Sequence, residues 1–295
     1  MKIDAFIIGA QKSGSTALMH YLKCHPKIVA QKAPEMSFFH GVEHKQGKAY
    51  LFAKYFGELD TVGDSILLAK HVMEFSKSYG LYRMREHNPD MKIIVCLRDP
   101  IDRLLSAYEY AVNEGWENKD LQTALNLEST RLKKSWQKNK SLGYVNNGLY
   151  GTNLTNVLDI FPKCQVLVIN YNDFKNDVQS TLLSVYDFLN LERILPSEYS
   201  RQNVTTEAKS IIVAQIIRSV LSSDGPVKKI VKKVIPIDKL LIVRNWLLSL
   251  NRTKKISTKP VLDSSTEAML ATKFAADFEQ LPAEYQEWFS KYSRR

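Results

Sequence analysis

The chain has 295 residues, 44% hydrophobic and 24% charged, with a net charge of +10. That length suits one large domain or two small ones with an unstapled core, and the ordinary composition excludes disordered and fibrous classes. Three cysteines, odd in number and far apart, exclude a disulfide scaffold and a paired CxxC zinc site. No apolar run approaches the ~18 residues of a membrane-spanning helix. Asp4 and Gly9 interrupt any leader-like stretch after Met1, so the expectation is a reduced, soluble, cytoplasmic protein.

The charge is local. Between Pro226 and Lys259 ten lysines and arginines face only Asp238, which gives this segment +9 of the chain's +10. A nearly neutral remainder argues against a nucleic-acid-coating protein and for one basic face, either a solvated helix or a docking surface for an anionic acceptor or membrane.

In chain order, Ile3 to Ile8 reads as a buried parallel strand, followed by the loop Gly9 to Thr16 and a helix from Ala17 to Leu22. Ile66 to Lys70 and Lys92 to Leu97 are further strands; the second runs into Arg98-Asp99-Pro100 and a helix over Ile101 to Asn113. A helix over Asn153 to Phe161 precedes the strand Gln165 to Asn170. Helices are expected at Val178 to Leu189, Thr206 to Leu221, Lys239 to Leu250 and Ser265 to Gln280. Alternating strands and helices predict an α/β fold, a P-loop-like central parallel sheet flanked by helices. Ser222 to Pro226 is a turn-rich joint, so the chain reads as one domain: an α/β core over 1–221 and a helical C-terminal extension over 222–295.

Gly9 to Thr16 has the spacing of a phosphate loop but departs from the nucleoside-triphosphatase pattern. Ser15, not lysine, follows Gly14, and the loop's only lysine is Lys12. Its backbone amides still form an anion nest at a helix N-terminus. Arg98 projects from the carboxyl edge of the sheet, and Ser106 lies about two helical turns further on, so the two can hold a second phosphate.

Gln11-Lys12-Ser13-Gly14-Ser15-Thr16-Ala17-Leu18 resembles the 5′-phosphosulfate loop of sulfotransferases, and Arg98-Asp99-Pro100 through Ser106 resembles their 3′-phosphate motif. Lys32 to Phe39, Gly148-Leu149-Tyr150, Phe161-Pro162, Gln165 to Val168 and Asp187 to Leu191 follow the order of the glycan, heparan sulfate-type branch. The resemblance covers roughly residues 1–192. Lys70 is followed by His71-Val72-Met73 where that branch has Thr-Pro-Ser, and no Lys-Gly-Arg or Arg-Lys-Gly segment closes the donor site downstream. Arg201 and the basic segment are candidates for that closure.

The resemblance implies 3′-phosphoadenosine-5′-phosphosulfate (PAPS) as sulfuryl donor, adenosine 3′,5′-bisphosphate (PAP) as product, and an acceptor hydroxyl of a saccharide or glycolipid. Gln11, Lys12, Ser13, Gly14, Ser15, Thr16, Ala17, Arg98 and Ser106 would bind the donor, with Lys12 charging the leaving phosphate. Glu35 matches the family's base; in this sequence it stands without an evident partner between apolar neighbours, a setting that strengthens a carboxylate as a base. His71 is the rival base, and Lys70 would serve donor or acceptor. No metal is expected: the six histidines show no ligand spacing on an evident helix, and Gly41 interrupts His40 and His44. No nucleic-acid partner is expected, and 226–259 is the candidate for peripheral membrane contact. A small-molecule sulfotransferase, a P-loop kinase and an idle polyanion-binding module remain the alternatives.

Overall fold

The computed structural model describes residues 1–57, 63–135, 140–198, 206–210, 212–214, 217, 246–256 and 260–290. Arg201 and most of the basic segment lie outside the described residues. In chain order the principal elements are β1 (Ala5–Gly9), α1 (Ser15–Leu22), β2 (Ile28–Ala30), α2 (Gly47–Tyr55), β3 (Ile66–Lys70), α3 (Ser78–His87), β4 (Lys92–Leu97) and α4 (Pro100–Asn113). There follow α5 (Leu121–Lys134), α6 (Tyr150–Leu158), β5 (Val166–Asn170), α7 (Tyr171–Asn176), α8 (Val178–Leu189), β6 (Thr206–Ala208), β7 (Arg252–Ile256), α9 (Ser264–Phe278) and α10 (Ala283–Gln286).

The chain divides into two compact units, and the division falls inside α4. The first comprises 1–103, 146–202 and 265–295 and holds a five-stranded sheet in the order β2-β3-β1-β4-β5. Every pairing in that sheet is parallel, with Ile7 opposite both Lys70 and Ile94. This is the fold class expected from the alternating pattern. All strands end on one edge. The chain leaves β1 toward β2 and leaves β4 toward β5, so the edge opens between β1 and β4, the place where such sheets bind ligands.

Strands buried on both faces explain the continuous apolar runs of β1 and β4. One face packs Leu18, Tyr21 and Leu22 of α1 together with Leu182, Val185, Tyr186 and Leu189 of α8. Cys96 is fully enclosed there, and burial pushes its thiol up to about 12, leaving an inert core residue. Asp277 of α9 caps α6, accepting from Gly151 N at 2.7 Å and Thr152 N at 3.0 Å.

Buried His87 accepts from Ile3 N through Nε2 at 3.0 Å. Burial lowers its pKa to about 4, so the fold holds it neutral while the unfolded chain protonates near 6.5. The unfolded state therefore binds the extra proton between those values. Stability present above pH 6.5 is lost as pH falls, by up to about 3 kcal/mol near pH 4. Urea unfolding across pH 7 to 4 should show a steeper loss for wild type than for His87→Gln; parallel curves would refute that role.

The second unit comprises 104–145 and 203–264. In it Glu117 accepts from both Arg131 nitrogens and from the Tyr144 hydroxyl. Those donors hold its carboxyl below the usual range against the opposing effect of burial.

Several sequence expectations change. Thr206–Ala208 is a strand paired antiparallel with β7, not the start of a helix, because non-local backbone pairing overrides the local apolar spacing. Residues 246–250 are helical, whereas 239–245 lie outside the described residues. The helix expected from Asn153 begins at Tyr150.

Candidate active site

The loop after β1 folds back on the sheet: Ala10 N donates to Cys96 O at 2.8 Å and Ser13 N to Ala10 O at 3.3 Å. Lys12 and Gly14 take left-handed backbone, at φ 65° and 86°. Position 14 requires glycine on two counts, since a Cβ there would also stand 3.1 Å from the Tyr171 ring. Gly14 caps α1 with no side-chain bond, so the first-turn amides of that helix remain available to an anion. Gln11, Ser13 and Ser15 are buried, Lys12, Gly14 and Ala17 are half-buried, and Thr16 is exposed.

Arg98, at the end of β4, ties the second motif to this loop. Its Nη1 donates to Lys12 O at 3.2 Å, and its guanidinium lies 4.9 Å from the Tyr171 ring centroid. Asp99 caps the following helix, accepting from Asp102 N at 2.8 Å, with Pro100 at the first helical position. Ser106 lies on α4 in the second unit and is half-buried. Tyr150 is fully buried, which pushes its phenol up to about 12, and its hydroxyl faces the Ser13 side chain and the Arg98 backbone.

Glu35 does not stand alone among apolar neighbours, as its sequence context suggested. One carboxylate oxygen is ion-paired with Lys70 Nζ, and the other accepts from Val72 N at 3.0 Å. Met36, Phe38 and Phe39 instead bury their side chains in the core, each worth about 1.5–3 kcal/mol, and so anchor the loop that carries Glu35. Gln31 stitches that loop to β3: its Oε1 accepts from Lys70 N at 2.8 Å and its Nε2 donates to Ala33 O at 2.8 Å. Met36 N adds a bond to Lys70 O at 2.8 Å. Lys70 is accordingly buried against Glu35.

His71 is 5% exposed, with Nδ1 3.2 Å from Glu74 Oε1 and its ring 5.1 Å from that of His40. That setting is a poor one for the rival base. Sequence reasoning assigned no role to Gln31, Tyr150 or Tyr171, whose positions depend on partners far away in the chain. A cleft at the carboxyl ends of β4 and β5 is lined by Asp99, Asn170, Asn172, Trp288 and Phe289.

A family model described as the sulfotransferase domain matches residues 2–215. The chain belongs to the sulfotransferase family. Mouse heparan sulfate glucosamine 3-O-sulfotransferase 3B1 is 29% identical over 206 residues, covering 68% of this chain and 50% of that protein. The human 3B1 enzyme is 28% identical over 211 residues, with the same shares. The chain thus spans about half the length of the curated relatives it matches. A crystal structure of a sulfotransferase from Alicyclobacillus acidocaldarius superposes at a TM-score of 0.60 with 26% identity, over 69% of this chain and 87% of that one. Mouse SULT7A1 complexed with PAP shares the fold at a TM-score of 0.51 and 18% identity, over 98% of this chain and 88% of that one. Among the described residues of this sulfotransferase domain, no helix is long and apolar enough to cross a membrane.

Proposed function

We propose that the domain transfers the sulfuryl group of PAPS to a saccharide hydroxyl. One observation carries this reading: the Gly14 loop, Arg98 and the Glu35–Lys70 pair arise at the ends of three adjacent strands, β1, β4 and β3. An anion nest and a base thereby share one edge. The residues fit a nucleotide bearing two phosphate groups. Gln11 Oε1 and Arg98 Nε are buried without a protein partner, and Gly14 leaves the nest open. The cleft beside Asn170 and Trp288 offers amides and an aromatic face to a base.

The donor supplies an activated sulfuryl group whose displacement, like phosphoryl transfer, builds negative charge on the leaving oxygen. Lys12 and the first-turn amides of α1 neutralise that charge, and Arg98 holds the 3′-phosphate. Glu35 takes the acceptor hydroxyl's proton, while Lys70 and Val72 N fix the carboxylate's orientation. The heparan sulfate relatives favour a saccharide over a small lipophilic acceptor, and a glycolipid headgroup presents the same hydroxyls.

Thermal-shift measurements separate this reading from a kinase. PAP should raise the melting temperature more than AMP does, and ATP with magnesium should not, because Lys12 is misplaced for a triphosphate. Stabilisation by magnesium-ATP alone would favour the kinase. Arg98→Ala should weaken PAP binding by about 30–150-fold, the value of about 2–3 kcal/mol for a charged hydrogen bond, and AMP binding far less. Isothermal titration of both ligands checks this, and equal losses would remove the 3′-phosphate role.

A further inference from the structure

His71 directly follows Lys70, His40 closes the segment that carries Glu35, and Glu74 begins the turn before α3. The fold brings all three together with donor atoms within 4.8 Å of one another. Their exposures are 1% for His40, 5% for His71 and 0% for Glu74, so the cluster is sealed from solvent. Each histidine turns Nδ1 to a different oxygen of the same carboxylate, His40 at 3.4 Å from Oε2 and His71 at 3.2 Å from Oε1.

Those separations are long for charge-assisted hydrogen bonds, which run about 2.7–2.9 Å. They match the about 3.3 Å edge of a coordination tetrahedron built from bonds of 2.0–2.1 Å. The position of Glu74 is also fixed: its carboxylate lies against the bare Cα of Gly80, where any Cβ would collide with Oε2. Lys70 is ion-paired with Glu35, and Arg83 Nη1 donates to the carbonyls of Phe39 and Gly41. A divalent ion held by the three residues would set its charge directly against the buried carboxylate that both imidazoles face.

We propose that His40, His71 and Glu74 form a structural metal site for a divalent transition metal, zinc by the imidazole and carboxylate donor set. The two histidines and the Glu74 carboxylate supply three protein ligands, one donor atom from each residue. The ion clamps the far end of the Glu35 segment to the residue after Lys70 and so holds the ion pair in register. It touches neither donor nor acceptor. This assignment is independent of the group the domain transfers, so its test reads metal and not turnover.

The intact protein, stripped with chelator, is reloaded with zinc, passed through gel filtration and assayed by elemental mass spectrometry. About one zinc per chain should be retained. Titration of the stripped protein with cobalt(II) should give the intense visible bands of a tetrahedral site, abolished by zinc. His40→Ala and His71→Ala should each lose metal affinity by at least about 10²-fold, while His44→Ala keeps it. No retained zinc, an octahedral cobalt spectrum, or unchanged metal content in folded His40→Ala and His71→Ala would overturn the proposal. Should those variants fail to fold, the cobalt spectrum of the wild-type protein decides alone.

Discussion

Glu35→Gln should lower turnover by about 10²–10⁴, the usual contribution of a positioned general base, while PAP binding is retained. The amide keeps the side chain's shape, and its oxygen still accepts from Lys70 or from Val72 N, so the loop stays in place. What it lacks is a site for the acceptor's proton. Steady-state kinetics with PAPS, paired with PAP titration, separates these effects. Turnover near wild type would move the base to His71. That residue would first have to be released from its place beside Glu74 and His40.

Lys12→Met should lower turnover by about 10²–10³, as expected when one preorganised stabiliser of a developing anion is removed. Methionine keeps an unbranched chain at the left-handed position, and the backbone carbonyl that accepts from Arg98 is unchanged. The loop should therefore survive, and the loss should fall on turnover more than on PAP affinity. A drop in PAP affinity with turnover intact would make Lys12 a binding residue only. An unchanged enzyme would make it an ordinary loop lysine.

The sheet and its two anion-binding turns were legible because their signals are local. Continuous apolar runs mark β1, β4 and β5, and Gly14 and Pro100 punctuate the turns. Three-residue β2 is too short to register, and α3 carries Gly80 and a polar surface that hide its periodicity. Helix α5 starts at a local signal, Asp120, which caps it by accepting from Thr123 N at 2.9 Å, but no continuous apolar run accompanies that cap. Strand β6 escapes a local reading because its partner, β7, lies far along the chain.

At the site, Lys12, Glu35, Lys70 and Arg98 stood out by residue type and position in recognisable motifs. Their pairings did not. Nothing in the segment around Glu35 announces Lys70 as its partner, since the two meet only when β3 is laid beside that loop. The approach of His40 to His71 and Glu74 is invisible for the same reason: sequence spacing pointed to His44, whose Nδ1 instead lies 2.9 Å from Gly41 O.

The most direct test of the account is sulfuryl transfer itself, followed with ³⁵S-labelled PAPS and a panel of unsulfated heparan-type oligosaccharides. The account predicts label on a saccharide hydroxyl, matched one-for-one by released PAP and independent of magnesium. PAP binding with no label on any acceptor, or transfer of phosphate from ATP in its place, would contradict it.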